Sequence, residues 1–273
     1  MQIENKVFVV TGGGNGMGRE VALQLIKRGA RVAAVDLNQA GLDETAALAG
    51  AGDRLTTHAV NVSDRAAVLA LPAAVKAAHG QIDGLFNVAG IIQPFVKIVD
   101  LDFDVIERVL NVNLWGTINM TKAFLPELLA RPEAGLLNVS SMGGFLPVPG
   151  QAAYGASKAG VKLFTEALYA ETRGTNLSVT VVFPGGVSTN ITGNSGVDTS
   201  KMEAAMAPTD GKPAKVRKTT TPAEAGRQII EGLEKGAFRV RIGSDARFMD
   251  RFSRLSPRRA TLLIADQMKS LLG

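Results

Sequence analysis

Tyr154 and Lys158, in the run YGASK, set a phenol and an ammonium four residues apart. On a helix that spacing stacks the two side chains one turn apart, with about 5–6 Å between their Cβ atoms. A phenol ordinarily loses its proton near pH ~10. A fixed positive charge beside it favours the phenolate and brings proton transfer toward neutral pH. Facing a pocket, the pair is an acid–base device; facing water, it is two ordinary helix residues. A Ser–His–Asp hydrolase is disfavoured, because His58 and His79 lie far apart and neither follows a candidate catalytic strand.

The elements that must hold such a pair are legible as alternating patterns. Short apolar runs at Val7–Thr11, Val32–Asp36, Thr56–Asn61, Gly84–Asn87, Leu136–Ser140, Val179–Phe183 and Val240–Ile242 have the length of strands. Amphipathic stretches near Met17–Lys27, Gln39–Ala49, Ala66–Ala78, Phe103–Ala130, Tyr154–Arg173 and Pro222–Lys235 separate them. Strands apolar on both faces with helices between them predict an α/β fold: one domain built on a doubly wound parallel sheet of about seven strands, with helices on both faces. The domain is expected to span residues 1–243, with a polar insertion at about 190–220 acting as a lid and a short helix at Lys201–Met206 within it.

Composition narrows the function classes. With no cysteine in the chain, disulfides, thiolate metal sites and a cysteine nucleophile are excluded. The two separated histidines lack an acidic ligand cluster, so no metal site is expected. A net charge of +5 without aromatic residues interleaved among the arginines argues against nucleic-acid binding. No apolar stretch approaches the ~20 residues that span a bilayer. The N-terminal run MQIENKVFVVTGG enters a strand pattern at once, so no export signal and a cytoplasmic location are expected.

The first strand runs into TGGGNGMG, Thr11 to Gly18, and then into a helix. Gly12 allows the tight turn, Gly16 lets the backbone approach a pyrophosphate, and Gly18 permits close helix packing. The helix start offers unsatisfied N–H groups to phosphates. At the end of the second strand, Asp36 can accept both adenosine-ribose hydroxyls and would repel a 2′-phosphate. Neither Asn15 nor Leu37 and Asn38 supplies a compensating cation. The reading is NAD(H), with Asp36 as a helix cap the alternative.

These elements together resemble the short-chain dehydrogenase/reductase family, over nearly the whole chain to about residue 243. The resemblance rests on TGGGNGMG, Asp36, NVAG at Asn87–Gly90, Asn113 in VNLWG, NVSS at Asn138–Ser141, YGASK and PGGVST at Pro184–Thr189, with thirteen residues from Ser141 to Tyr154. It implies a Rossmann fold and an alcohol dehydrogenase or carbonyl reductase using NAD. Tyr154 would be the general acid/base, and Lys158 would bond the nicotinamide ribose and bias Tyr154 toward ionisation. Ser141, not the adjacent Ser140, would donate to the substrate oxygen. Asn113 would interrupt its helix and hold a water leading from Lys158. Cofactor contacts are implied for Gly12, Asn15, Gly16, Met17, Gly18, Asp36, Leu37, Asn61, Val62, Asn87, Ala89, Gly90, Pro184, Gly185, Val187 and Thr189. Two positions depart from the family's common pattern: Asn61 stands where an aspartate usually meets the adenine amine, and Val88 replaces a second asparagine. The choice of NAD leans toward oxidation in the cell. A non-catalytic dinucleotide-sensing regulator and an NADP(H)-dependent reductase are the other readings.

Between Ser141 and Tyr154 runs MGGFLPVPGQAA. Met142, Phe145 and Gln151 are expected to border the substrate, a small-molecule alcohol or ketone with a sizeable apolar body. From Ser244 the tail is basic and amphipathic, with Phe248, Phe252, Leu255, Leu262, Ile264 and Met268 among arginines. Three placements follow: packing on a neighbouring subunit or the lid, covering its own domain, or touching an anionic membrane. A homo-oligomer is expected, dimer or tetramer, although the family's usual tetramer-building C-terminus is replaced here.

Overall fold

The computed structural model describes residues 1–189, 191–195 and 219–269. Most of the expected lid, including the expected helix at Lys201–Met206, lies outside the described residues. Seven parallel strands form one sheet in the order β3-β2-β1-β4-β5-β6-β7. They are β1 (Val7–Thr11), β2 (Arg31–Asp36), β3 (Leu55–Ala59), β4 (Gly84–Asn87), β5 (Ala134–Val139), β6 (Leu177–Pro184) and β7 (Arg239–Ile242). All five residues of β1 are buried, because helices cover both faces of a parallel sheet.

The period-2 alternation of the strands sorts their side chains between two cores. Phe8 and Val10 of β1, with Val32 and Ala34 of β2, face α1 (Gly16–Lys27), α2 (Gln39–Ala49) and α8 (Pro222–Glu234). Val7, Val9, Ala33 and Val35 face the opposite way, toward α3 (Arg65–His79), α5 (Gly116–Leu129) and α6 (Ala152–Glu171). Local signals set the helix starts. Asp64 caps α3 by accepting from the N–H groups of Ala66 and Ala67, and Thr221 caps α8 with proline at its first position.

Strand order reverses at β1, which lies between β2 and β4. A crevice opens there at the carboxyl ends of the strands, the expected place for a ligand in an open α/β sheet.

Two expectations are refined, the helix interruption implied at Asn113 and the placement of the tail. The single helical run Phe103–Ala130 is divided: α4 (Phe103–Leu110) passes through one π-helical turn, Asn111–Trp115, before α5 begins. Such a bulge swings one residue out of the helical repeat, and that residue is Asn113. The tail is two helices, α9 (Ser244–Leu255) and α10 (Pro257–Met268). Their inner faces pack on their own chain: Met249, Ala260 and Ile264 bury against Leu146, with Met142, Phe145, Val148, Phe252 and Met268 around them. The apolar stripe therefore covers the loop that follows β5. Between Thr189 and the described end of that region, a single turn α7 (Ile191–Asn194) is present. Among the described residues no helix is long and apolar enough to cross a membrane.

Candidate functional site

A cleft of about 340 Å³ lies over the carboxyl ends of β1, β2 and β4, within the size range of small-molecule sites. Its walls are Gly12, Asn15, Gly16, Met17 and Gly18 from the first turn, Asp36 and Leu37 after β2, Asn61 and Val62 after β3, Ala89 and Gly90 after β4, and Thr189. The glycines are required by geometry. Gly12 has φ +72° and Gly16 φ +54°, a left-handed region costly to residues with a Cβ. A Cβ on Gly18 would sit 2.1 Å from the carbonyl oxygen of Gly12. Asp36 holds the turn from beneath: its Oδ2 accepts from the N–H of Gly14 at 3.0 Å and its Oδ1 from the N–H of Asn38 at 3.0 Å. Asn15 caps α1, accepting from the N–H of Gly16 at 2.6 Å.

Behind Gly90, set back from the residues that line the cleft, stands the Tyr154–Lys158 pair. Lys158 is 2% exposed and donates from Nζ to the carbonyl of Val139 at 3.0 Å. No carboxylate pairs with it among the described residues. Burial pushes its ammonium down to about 8, since an unpaired charge is costly in a dry site. Its Nζ lies 5.9 Å from the ring centre of Tyr154. A Cβ on Gly90 would fall 3.1 Å from Nζ and 3.2 Å from Oδ1 of Asn113, so this stretch of the cleft wall packs directly against the lysine and the amide.

Tyr154 departs from one expectation. Burial raises the phenol above its usual value, and a hydrogen bond with Ser141 pulls against that rise without cancelling it. The lowering expected from Lys158 does not outweigh desolvation. The lysine is itself desolvated and spends a hydrogen bond on Val139.

Ser141 and Ser140 have separate tasks. Ser140 is buried and donates to the carbonyl of Lys158 at 2.7 Å, pinning β5 to α6. Ser141 caps the short turn Met142–Gly144, its Oγ accepting from the N–H of Gly143 at 3.0 Å, and that places it beside Tyr154. Asn113, expelled from the helical repeat, accepts from the N–H of Ile91 at 2.8 Å and donates to its carbonyl at 2.9 Å. The same amide donates to Ser157 Oγ at 3.0 Å, which donates to the carbonyl of Tyr154 at 2.7 Å. Ser157 was not singled out by the sequence, where it is one of several small residues in YGASK.

Several expected contacts are placed elsewhere. Asn87 is buried beneath the cleft, its amide donating to Asn138 at 2.8 Å and Thr121 at 3.3 Å. Pro184, Gly185 and Val187 lie outside the cleft wall. Gly185 abuts Asp245 so closely that a Cβ would fall 2.2 Å from its carboxylate, and Val187 forms an isolated parallel bridge with Thr220. Asp245, accepting from the N–H of Gly186 at 2.8 Å, ties the turn after β6 to the start of α9. Of the residues expected to meet substrate, Phe145 sets its edge against Phe183, ring centres 5.4 Å apart, and packs with Met142 on the tail helices. Gln151 is buried, its amide donating to the carbonyl of Gln93 at 2.9 Å; that partner removes its amide from any open substrate surface.

A family model described as short chain dehydrogenase matches residues 6–199. SadH of Mycobacterium tuberculosis, named as an oxidoreductase, is 37% identical over 256 residues, covering 92% of this chain and 91% of its own. The 3-oxoacyl-[acyl-carrier-protein] reductase FabG of Thermotoga maritima is 35% identical over 195 residues, covering 70% of this chain and 78% of its own. A short chain dehydrogenase/reductase from Burkholderia phymatum, solved in complex with NAD, superposes with a TM-score of 0.80 at 24% identity, covering 93% of this chain and 96% of that one.

Proposed function

The chain belongs to the short-chain dehydrogenase/reductase family, and from that premise we propose that it interconverts a secondary alcohol and a ketone with NAD(H). One observation carries the reading: among the described residues Lys158 is buried without a counter-ion beside Tyr154, packed with Asn113 against Gly90 of the cleft wall. A fold gains nothing from an uncompensated buried charge, whereas acid–base chemistry does.

Three features support a dinucleotide in the cleft. The first turn is a backbone cradle that any Cβ at Gly18 would fill. The start of α1 aims N–H groups into it. Asp36 offers a carboxylate at the end of β2, lining the cleft, and among the described residues no cation lines the cleft with it. These favour NAD(H) over NADP(H). Gly12 to Gly18 would hold the pyrophosphate, Asp36 the adenosine ribose and Lys158 the nicotinamide ribose, with Thr189 at the carboxamide. When bound, NAD(H) supplies or accepts the hydride.

The protein's own groups handle the proton and the oxygen. Ser141 donates to the substrate oxygen, on which charge develops. Tyr154 gives that oxygen a proton in reduction and takes it back in oxidation. Its raised proton affinity keeps the phenol protonated at neutral pH, ready to donate. Lys158 keeps a positive charge one turn away, and Asn113 fixes the floor through Ile91. The apolar character of the loop after Ser141, with Met142 and Phe145 only partly buried, favours a substrate with an apolar body. The test is a panel of secondary alcohols with NAD⁺, and matching ketones with NADH and NADPH, followed by absorbance of the reduced cofactor. The reading predicts turnover of apolar members with NAD(H) preferred; turnover of small polyols or sugars alone would contradict the substrate class.

A further inference from the structure

The helix that carries Tyr154 starts without a local cap. Its N-cap residue, Gln151, makes no capping bond with its side chain, and PGQAA offers no serine, threonine or aspartate. The first N–H groups of a helix need acceptors from somewhere. For Tyr154 the acceptor comes from a different part of the chain. Oε1 of Gln93, 61 residues earlier, accepts from the Tyr154 N–H at 3.0 Å.

Gln93 is 0% exposed, and each of its other polar groups in the contact is engaged. Its Nε2 donates to the carbonyl of Gly150 at 3.0 Å, and its own carbonyl accepts from Gln151 Nε2 at 2.9 Å. Pro94 follows it, biasing Gln93 toward extended backbone. Two residues upstream, Ile91 is the residue that Asn113 grips by both N–H and carbonyl. One loop thus fixes Asn113 at one point and the backbone of Tyr154 at another. No described cap bond within the 142–151 loop would do the second job.

We propose that Gln93 is a positioning residue for Tyr154: through its side-chain oxygen it sets where the phenol stands relative to Ser141 and Lys158. The inference rests on the reading that Tyr154 transfers the proton. It assigns Gln93 no contact with substrate or cofactor.

Tyr154 and Tyr169 are the two tyrosines of the chain, so a Tyr169→Phe background lets ultraviolet phenolate absorbance read Tyr154 alone, with no substrate needed. In that background Gln93→Met, which keeps the shape and removes both polar ends, is expected to move the titration midpoint by half a unit or more. Gln93→Glu keeps an acceptor for the Tyr154 N–H and is read by kcat alone, because at the alkaline pH of the titration its carboxylate would itself raise the phenol. In NAD⁺-driven oxidation of secondary alcohols, Gln93→Met should lower kcat about ten- to a hundredfold, as misplacement of a catalytic group does, with the KM for NAD⁺ changed less than about threefold, the nucleotide cradle being untouched. Gln93→Glu should recover most of kcat. An unmoved titration and full kcat in Gln93→Met, alongside an inactive Tyr154→Phe, would overturn the inference. So would a folded Gln93→Glu enzyme as impaired as Gln93→Met, because the donor to Gly150 would then be what matters. If Tyr154→Phe itself keeps full turnover, the parent reading has failed instead.

Discussion

Two buried charges sit at opposite ends of the same sheet and are treated in opposite ways. Asp83, just before β4 at the amino end of the strands, is 0% exposed. It accepts from the N–H of Val7 at 2.9 Å and from Gln81 at 2.8 Å, is paired with Arg131 at 2.8 Å, and has Lys6 at 4.0 Å. Lys158, at the carboxyl end, is as deeply buried but has one carbonyl for a partner. The first arrangement satisfies a charge so that it joins β1 to β4 and α5 to the sheet. The second leaves a charge unsatisfied, with its proton affinity pushed down to about 8. The charge at one end of the sheet is neutralised, and the charge at the other end stands where the proposed chemistry would use it.

The contrast can be broken at either end. Lys158→Met removes the charge and keeps the shape; kcat/KM should fall about a thousandfold, in the range of lost acid–base assistance. Turnover within tenfold of wild type would put Lys158 on the structural side. Asp83→Ala should cost about 3 kcal/mol in urea unfolding, because it strands the buried N–H of Val7 and removes the partner of the half-buried Gln81 and Arg131, while kcat per folded molecule stays unchanged. A drop in kcat without a loss of stability would reverse the assignment of the two ends.

The third prediction concerns pH and the sign of the lysine's contribution. The folded pKa of Lys158 is depressed, from 10.5 to about 8. Below about pH 8 both folded and unfolded chains carry the proton, and the full burial cost is present. Between about 8 and 10.5 the unfolded chain binds more protons, so stability rises with pH there. A shift of that size corresponds to about 3 kcal/mol, of which the lost bond to Val139 offsets about 1 kcal/mol. Lys158→Met should therefore be about 2 kcal/mol more stable than wild type at pH 7, an advantage that shrinks through the window from 8 to 10.5. Parallel stability curves across that window would contradict it. The smallest effect is expected at a third charge, Asp36, which is hydrogen-bonded at the cleft rim: Asp36→Ala should relax the NAD-over-NADP ratio of kcat/KM about tenfold, or about 1.4 kcal/mol. An unchanged ratio would remove Asp36 from cofactor choice.

The same division explains what could be read from the sequence. β1 and β4 fall where their apolar runs begin and end, at Val7–Thr11 and Gly84–Asn87, because a strand buried on both faces leaves an uninterrupted apolar signature. Gly12, Gly18 and Asp36 were legible because a tight turn, a close approach and a strand-end carboxylate each demand a residue type at a fixed spacing. The helix interruption at Asn113 was implied by the family resemblance but not by periodicity, which runs on through Phe103–Ala130, since the bulge is stabilised by bonds to Ile91, distant in sequence. Gln93 and Asp245 carried no signal: each is an ordinary polar residue whose partner, the Tyr154 N–H or the Gly186 N–H, is chosen by the tertiary fold. The tail's amphipathic pattern announced a buried face without naming what it covers, and the answer, the 142–148 loop, depends on how β7 delivers the chain.

Tyr154 is the group proposed to move the proton. The most direct test of that role is kcat for the NAD⁺-linked oxidation of the best secondary alcohol in the panel, measured for wild type and Tyr154→Phe, the variant losing a single oxygen. A fall of about 10²- to 10⁴-fold, with the fold intact, is predicted; a Tyr154→Phe enzyme that turns over at the wild-type rate would contradict it.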